Sequence, residues 1–104
     1  MAIHVPSEYK KFLEENGPFE GFTADEPGYI ALWTLDELPG YNTDFQIAQY
    51  APGFVGFASD GGGEVLVFDD AGAIFKLPMI GMEPALAIKV ASSFTELAAR
   101  FEVE

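Results

Sequence analysis

The sequence predicts an α+β domain in which a helix at each end of the chain encloses an antiparallel sheet. Three observations carry this. Tyr9, Phe12 and Leu13 fall at i, i+3, i+4 and are closed by Asn16-Gly17. Ser93-Phe94-Thr95-Glu96 has the spacing of a capping box ahead of an apolar helical face. Between them, short β-branched and aromatic runs are joined by glycine turns too tight for parallel crossovers. With 104 residues, 49% of them hydrophobic and ten of them phenylalanine, one core and a single domain over residues 1–104 are expected.

The first helix is expected from Pro6, which suits a helix's first turn, to about Glu15. Gly17 to Gly28 is rich in Gly, Pro and acids and reads as loop. Tyr29 to Trp33 reads as a strand. Thr34 and Glu37 then stand three apart, opening a helix that Pro39-Gly40 should break. Asp44 to Tyr50 leans helical and ends at Pro52-Gly53. Phe54–Ala58, Glu64–Asp69 and Ala73–Leu77 are the strands of the middle sheet, bent at Asp60-Gly61-Gly62-Gly63 and at Asp70-Ala71-Gly72. Glu64–Asp69 is apolar on both faces, so helices should cover at least one. Gly81 to Val90 is ambiguous, with a helical turn expected around Pro84–Ile88. In the last helix, Phe94, Leu97, Ala98 and Phe101 share one face.

Charge narrows the function classes. Seventeen acidic residues against five basic ones leave a net charge of −12. Such a surface repels nucleic acid and anionic membrane and attracts basic partners, although acidity also serves solubility. With cations only at Lys10, Lys11, Lys76, Lys89 and Arg100, nucleic-acid binding is rejected. The N-terminus carries no signal-peptide core, no apolar run nears the ~20 residues of a membrane span, and cysteine is absent. A soluble, cytoplasmic protein, monomeric by default, is expected.

Catalytic chemistry finds little footing. His4, the sole histidine, has no visible partner, and no serine lies in a nucleophile motif. The run Asp60-Gly61-Gly62-Gly63-Glu64 is no phosphate cradle, because no Lys or Ser/Thr follows and it leads into a strand. A weak cation site on Asp60, Glu64, Asp69 and Asp70 competes with a plainer reading, in which the carboxylates hold turn amides. No catalytic residue, metal ligand or cofactor is assigned. Trp33 is either an exposed binding anchor or, as favoured, buried at a strand's end.

The motifs together resemble a known superfamily. Pro6-x-x-Tyr9-x-x-Phe12-Leu13 with Asn16-Gly17 is followed by Leu32-Trp33, Leu35-Asp36-Glu37-Leu38, Asn42 and Pro52-Gly53-Phe54. Then come Ala58-Ser59-Asp60-Gly61-Gly62-Gly63-Glu64, Phe68-Asp69, Pro78, Met82, Ala91 and Ser92-Ser93-Phe94-Thr95-Glu96-Leu97. This order resembles the SUKH superfamily, which includes fungal cell-wall-synthesis regulators and bacterial toxin-immunity proteins. The resemblance implies a curved, mostly antiparallel sheet flanked by helices, no catalytic residues, and direct binding of toxins that are often nucleases. The short Gly81–Val90 segment and brief loop after Asn16 depart from relatives that carry an insertion there.

Two functions follow as expectations. The first is an immunity protein holding a basic toxin domain in a stoichiometric complex. Its candidate contacts are Trp33, Asp36, Glu37 and Asp44, with Asp60, Glu64, Asp69 and Asp70 near the hairpins. The alternative is a regulatory or scaffolding module that binds an endogenous cytosolic protein or small ligand.

Overall fold

The structure is a computed structural model that describes residues 4–102; the expected domain's two ends, 1–3 and 103–104, lie outside the described residues. Helix α1 (Ser7–Asn16) leads into β1 (Glu20–Phe22) and β2 (Tyr29–Leu32). Two short helices follow, α2 (Leu38–Asp44) and α3 (Ile47–Tyr50). The chain then meanders through β3 (Val55–Ser59), β4 (Glu64–Phe68) and β5 (Ile74–Pro78). A 3-10 turn (Pro84–Leu86), β6 (Ile88–Ala91) and α4 (Phe94–Ala98) complete it. The six strands pair in sequence order, every neighbour antiparallel, and the sheet curls into a half-barrel. The expected α+β class, antiparallel sheet and terminal helices are all present.

Strand β4 is covered on both faces, as its unbroken apolar run requires. On the concave face, Leu66 and Phe68 lie level with Ala58 of β3 and Ile74 of β5. The Tyr9 ring of α1 meets Phe57, Phe68 and Phe94 edge-on, with centroids 5.3, 5.7 and 5.0 Å away. Phe57 lies on this face by alternation from Val55, the partner of Phe68, and stacks on Phe68 at 4.1 Å. The register shift between Gly56 and Ala58 is a bulge that brings Ala58 onto the same face, opposite Leu66. The buried Tyr9 hydroxyl donates to the Trp33 carbonyl, with the Phe57 carbonyl 3.2 Å away. One side chain thereby ties α1 to the end of β2 and to the bulge of β3.

The convex face is closed by α2 and α3 at a point where β2 has already ended. Gly56 there has no strand to pair with on that side, and the Asn42 side chain takes the vacant place. Its Oδ1 accepts from the Gly56 amide at 2.8 Å, and its Nδ2 donates to the Gly56 carbonyl at 2.9 Å and to Leu38 at 2.8 Å. The approach needs a glycine: a Cβ at Gly56 would stand 2.5 Å from Ile47 Cδ1 and 3.1 Å from Trp33.

Four local expectations are corrected. Pro39-Gly40 does not break a helix; Pro39 occupies the first turn of α2, where its missing N–H costs nothing, and the helix runs on to Asp44. The Thr34–Glu37 capping box does form just ahead of it, with Glu37 Oε1 accepting from the Thr34 amide at 2.9 Å. Within the expected loop 17–28 lies β1, whose propensity is poor but whose pairing with β2 supplies the hydrogen bonds. Gly21 in it leaves room for the Phe19 ring, 3.0 Å from where a Cβ would stand. The Gly81–Val90 segment holds the expected helical turn at Pro84–Leu86 and then an unexpected edge strand, β6. The last helix stops at Ala98, so Phe101 is not on its face; Phe101 instead bridges to Thr23 and stacks on Phe19 at 4.4 Å.

That C-terminal turn holds the half-barrel's two edges together. Arg100 Nη1 donates to the Val90 carbonyl of β6 at 3.0 Å and to the Glu26 carbonyl beyond β1 at 2.8 Å.

Burial pushes the Tyr9 hydroxyl well above the ordinary tyrosine range. An unfolded tyrosine titrates near pH ~10, so above that pH the unfolded chain releases a proton that native Tyr9 retains, and stability falls. Tyr29, bonded to Glu20, and Lys76, bonded to Glu26, are raised too and act in the same direction. Tyr9→Phe is expected to lower unfolding stability by about 1–3 kcal/mol at neutral pH and to flatten the decline above pH ~10, both read from urea midpoints. Asn42→Ala, which strips three hydrogen bonds and frees α2 from β3, is expected to cost about 2 kcal/mol in the same assay.

Candidate functional site

Folding divides the carboxylates into those that hold the chain and those that stand free. Asp60 and Asp69 belong to the first kind. Asp60 Oδ1 accepts from the amides of Gly62 at 2.8 Å and Glu64 at 3.1 Å, shaping the β3–β4 bend. Asp69 Oδ1 accepts from Ala71 and Ala73, both at 2.9 Å, and shapes the β4–β5 bend. Glu37 is engaged in the capping box with Thr34. Glu64 lies 3.7 Å from Lys76 Nζ, which also bonds Glu26 at 3.1 Å. The Glu26 hydrogen bond, with Glu64 and Asp60 nearby, raises the Lys76 pKa.

Trp33 leaves the candidate surface altogether. It is 6% exposed, meets Tyr41 at 4.6 Å and stacks near Phe45 at 5.9 Å, so it belongs to the core. Among the described residues, Asp36, Asp44 and Asp70 make no side-chain hydrogen bond or ion pair. The structure does not bring these three together. Asp36 borders a shallow depression of about 290 Å³ with Leu13 and Leu35. Asp70 borders a cleft of about 550 Å³ between His4–Pro6, Gly53–Val55 and the β4–β5 turn. Asp44 borders a groove of about 520 Å³ between α2–α3 and the loop after β5.

The cleft at Asp70 has the only histidine near it, yet its acids are largely committed. Asp69 is spent on turn amides, and Glu8 receives both the hydroxyl and the amide of Thr95. Among the described residues no group of three or more His, Cys, Asp or Glu is arranged to hold a metal ion. No described helix is long and apolar enough to cross a membrane.

Five of the residues that carry the sequence resemblance have structural posts: Tyr9 under the sheet, Asn42 on Gly56, Asp60 and Asp69 in the bends, and Ser93 capping α4 through the Glu96 amide at 3.1 Å. Consistently, the sequence profile of the SMI1/KNR4 family (SUKH-1) matches residues 1–100. The chain belongs to that family. A comparison with curated proteins finds no match. Membership makes this SUKH-1 chain a binding or immunity-like domain in general terms.

Sequence reasoning missed the groove beside Asp44, lined by Phe45, Gln46, Tyr50, Met79, Gly81, Met82 and Glu83. One signal pointed to it. Met79-Ile80-Gly81-Met82 is an apolar run directly after a strand-ending proline, with no helical or strand pattern, and such a loop must expose apolar side chains. Ile80 is 93% exposed.

The division between engaged and free acids is testable. Asp69→Ala is expected to lower stability by about 1–2 kcal/mol, whereas Asp70→Asn should stay within about 0.5 kcal/mol, both measured by urea unfolding of this SUKH-1 domain.

Proposed function

We propose that this chain, acting as one SUKH-like domain over residues 1–104, is a non-catalytic cytoplasmic protein that neutralises a basic, nuclease-type toxin by direct stoichiometric binding. The observation that supports it is the charge left uncompensated after folding. Between Lys11 and Lys76 the chain has no Lys, Arg or His, and two of its five cations, Lys76 and Arg100, are taken up in ion pairs. A net charge of −12 on so small a surface accelerates encounter with a basic partner and disfavours anionic ones. A nuclease has to keep a positive groove for its substrate, so an acidic domain can compete for that surface without any chemistry of its own.

Co-expression with the product of an adjacent gene that carries a basic C-terminal toxin domain tests this. Growth rescue, with a one-to-one complex on size exclusion whose affinity drops as salt is raised from about 0.05 to 0.5 M, is the expected outcome. Absence of rescue, with no complex at low salt, overturns immunity against that toxin.

A further inference from the structure

We propose that the groove between α2–α3 and the loop after β5 is the surface on which a basic protein partner docks. An apolar side chain of the partner seats on Phe45, Met79 and Met82, while neighbouring Lys or Arg side chains meet Asp44 and Glu83. This rests on the reading above that the partner is a basic protein, and it locates the contact.

Five features together mark this groove. Its floor is formed by Phe45 and Met79, both partly exposed, over the core residue Met82, and the Met79 thioether reshapes around an incoming group. Its rim carboxylates are unspent: neither Asp44 nor Glu83 makes a side-chain hydrogen bond or ion pair among the described residues. No lining residue is cationic. The wall presents large apolar surface, with Tyr50 48% exposed and Ile80, between the lining Met79 and Gly81, almost fully so. Between α2 and α3 the lining Gln46 is held at φ 54°, a left-handed conformation uncommon for a side chain of its type, and this separates the two helices along the groove.

Other depressions differ from it. The larger cleft spends Asp69 and Glu8 on internal bonds. One of about 470 Å³ along α1 is lined by Lys10 and Lys11. The shallow one beside Asp36 shares apolar side chains and unpaired acids, Asp36 and Glu14, but is about 290 Å³ against about 520 Å³ here. The identity of the occupant follows from charge. A groove with apolar floor and free carboxylate rim complements a segment in which an apolar side chain is flanked by cations. A second copy of this chain brings another −12 and is repelled.

The probe is a short peptide with lysines flanking one central phenylalanine, alongside a charge-matched peptide with serine at the centre. Both are titrated into the full chain and followed by amide NMR shifts. The phenylalanine peptide is expected to bind at least about tenfold more tightly, with shifts gathered at residues 44–50 and 79–83. Asp44→Asn with Glu83→Gln should weaken it by about tenfold, whereas Asp36→Asn with Asp70→Asn, which removes the same charge elsewhere, should weaken it by no more than about twofold.

Equal binding of the two peptides, equal weakening by the two double variants, shifts centred on the other depressions, or no binding by either peptide each overturns the groove. Self-association of the free protein that maps to residues 79–83 assigns the groove to a second copy and likewise overturns it. The co-expression assay separates this claim from the one it rests on. Rescue that persists undiminished in Asp44→Asn with Glu83→Gln removes the groove and keeps the immunity role. Failure of the unaltered protein to rescue removes that role, while the peptide titration still decides the groove.

Discussion

A buried hydroxyl has to find an acceptor, and in this domain the hydroxyl of Tyr9 organises the concave side of the sheet. Without a partner it would cost about 1–3 kcal/mol, a sizeable share of the stability of a small domain. Its acceptors are backbone carbonyls at Trp33 and Phe57, so satisfying it places α1 across the exit of β2 and the bulge of β3. The ring then meets three phenylalanines edge-on, and one of them, Phe94, brings α4 onto α1. Phe12 extends the contact to Phe94 and Phe101, and Phe101 reaches Phe19 beside β1. Through this aromatic chain the two ends of the polypeptide, and the sheet edge between them, follow from one anchored helix.

The convex side obeys a different constraint. There the sheet's own hydrogen bonding runs out where β2 ends, and a side-chain amide replaces it. Asn42 on Gly56 fixes where α2 lies, and α2 with α3 forms one wall of the groove that the Met79–Glu83 loop completes. The acids at the bends and the capping box are tied to amides, while those at the groove face solvent without side-chain partners among the described residues.

The terminal helices, the Thr34–Glu37 and Ser93–Glu96 capping boxes and the three central strands were legible because each depends on residues a few positions apart. So was the turn-holding role of Asp60 and Asp69, which follows from carboxylates standing two positions before accessible amides. Strands β1 and β6 were not legible. Glu20-Gly21-Phe22 has little intrinsic preference for a strand, and it forms because β2 on one side and residues 100–102 on the other offer partners from far along the chain. The groove showed only an exposed apolar run in the sequence: Asp44 and Glu83 stand 39 positions apart in the numbering and line one groove only because α2 and α3, packed on β3, lie beside the loop after β5.

The sequence by itself determined the class of fold, the family, and the sign and size of the domain's own charge. Each is a property of local spacing, of an ordered motif, or of composition, and none requires knowing which segments are neighbours. Only the tertiary structure decided which acids are free to bind. A carboxylate's availability depends on whether an amide or a lysine lies within hydrogen-bond reach, and chain folding alone brings Lys76 to Glu26 and Glu64, or leaves Asp44 and Glu83 beside an apolar floor. Trp33 marks the same boundary. Its side chain offers the same rich contact area wherever it lies, and packing against Tyr41 and Phe45 assigned that area to the core.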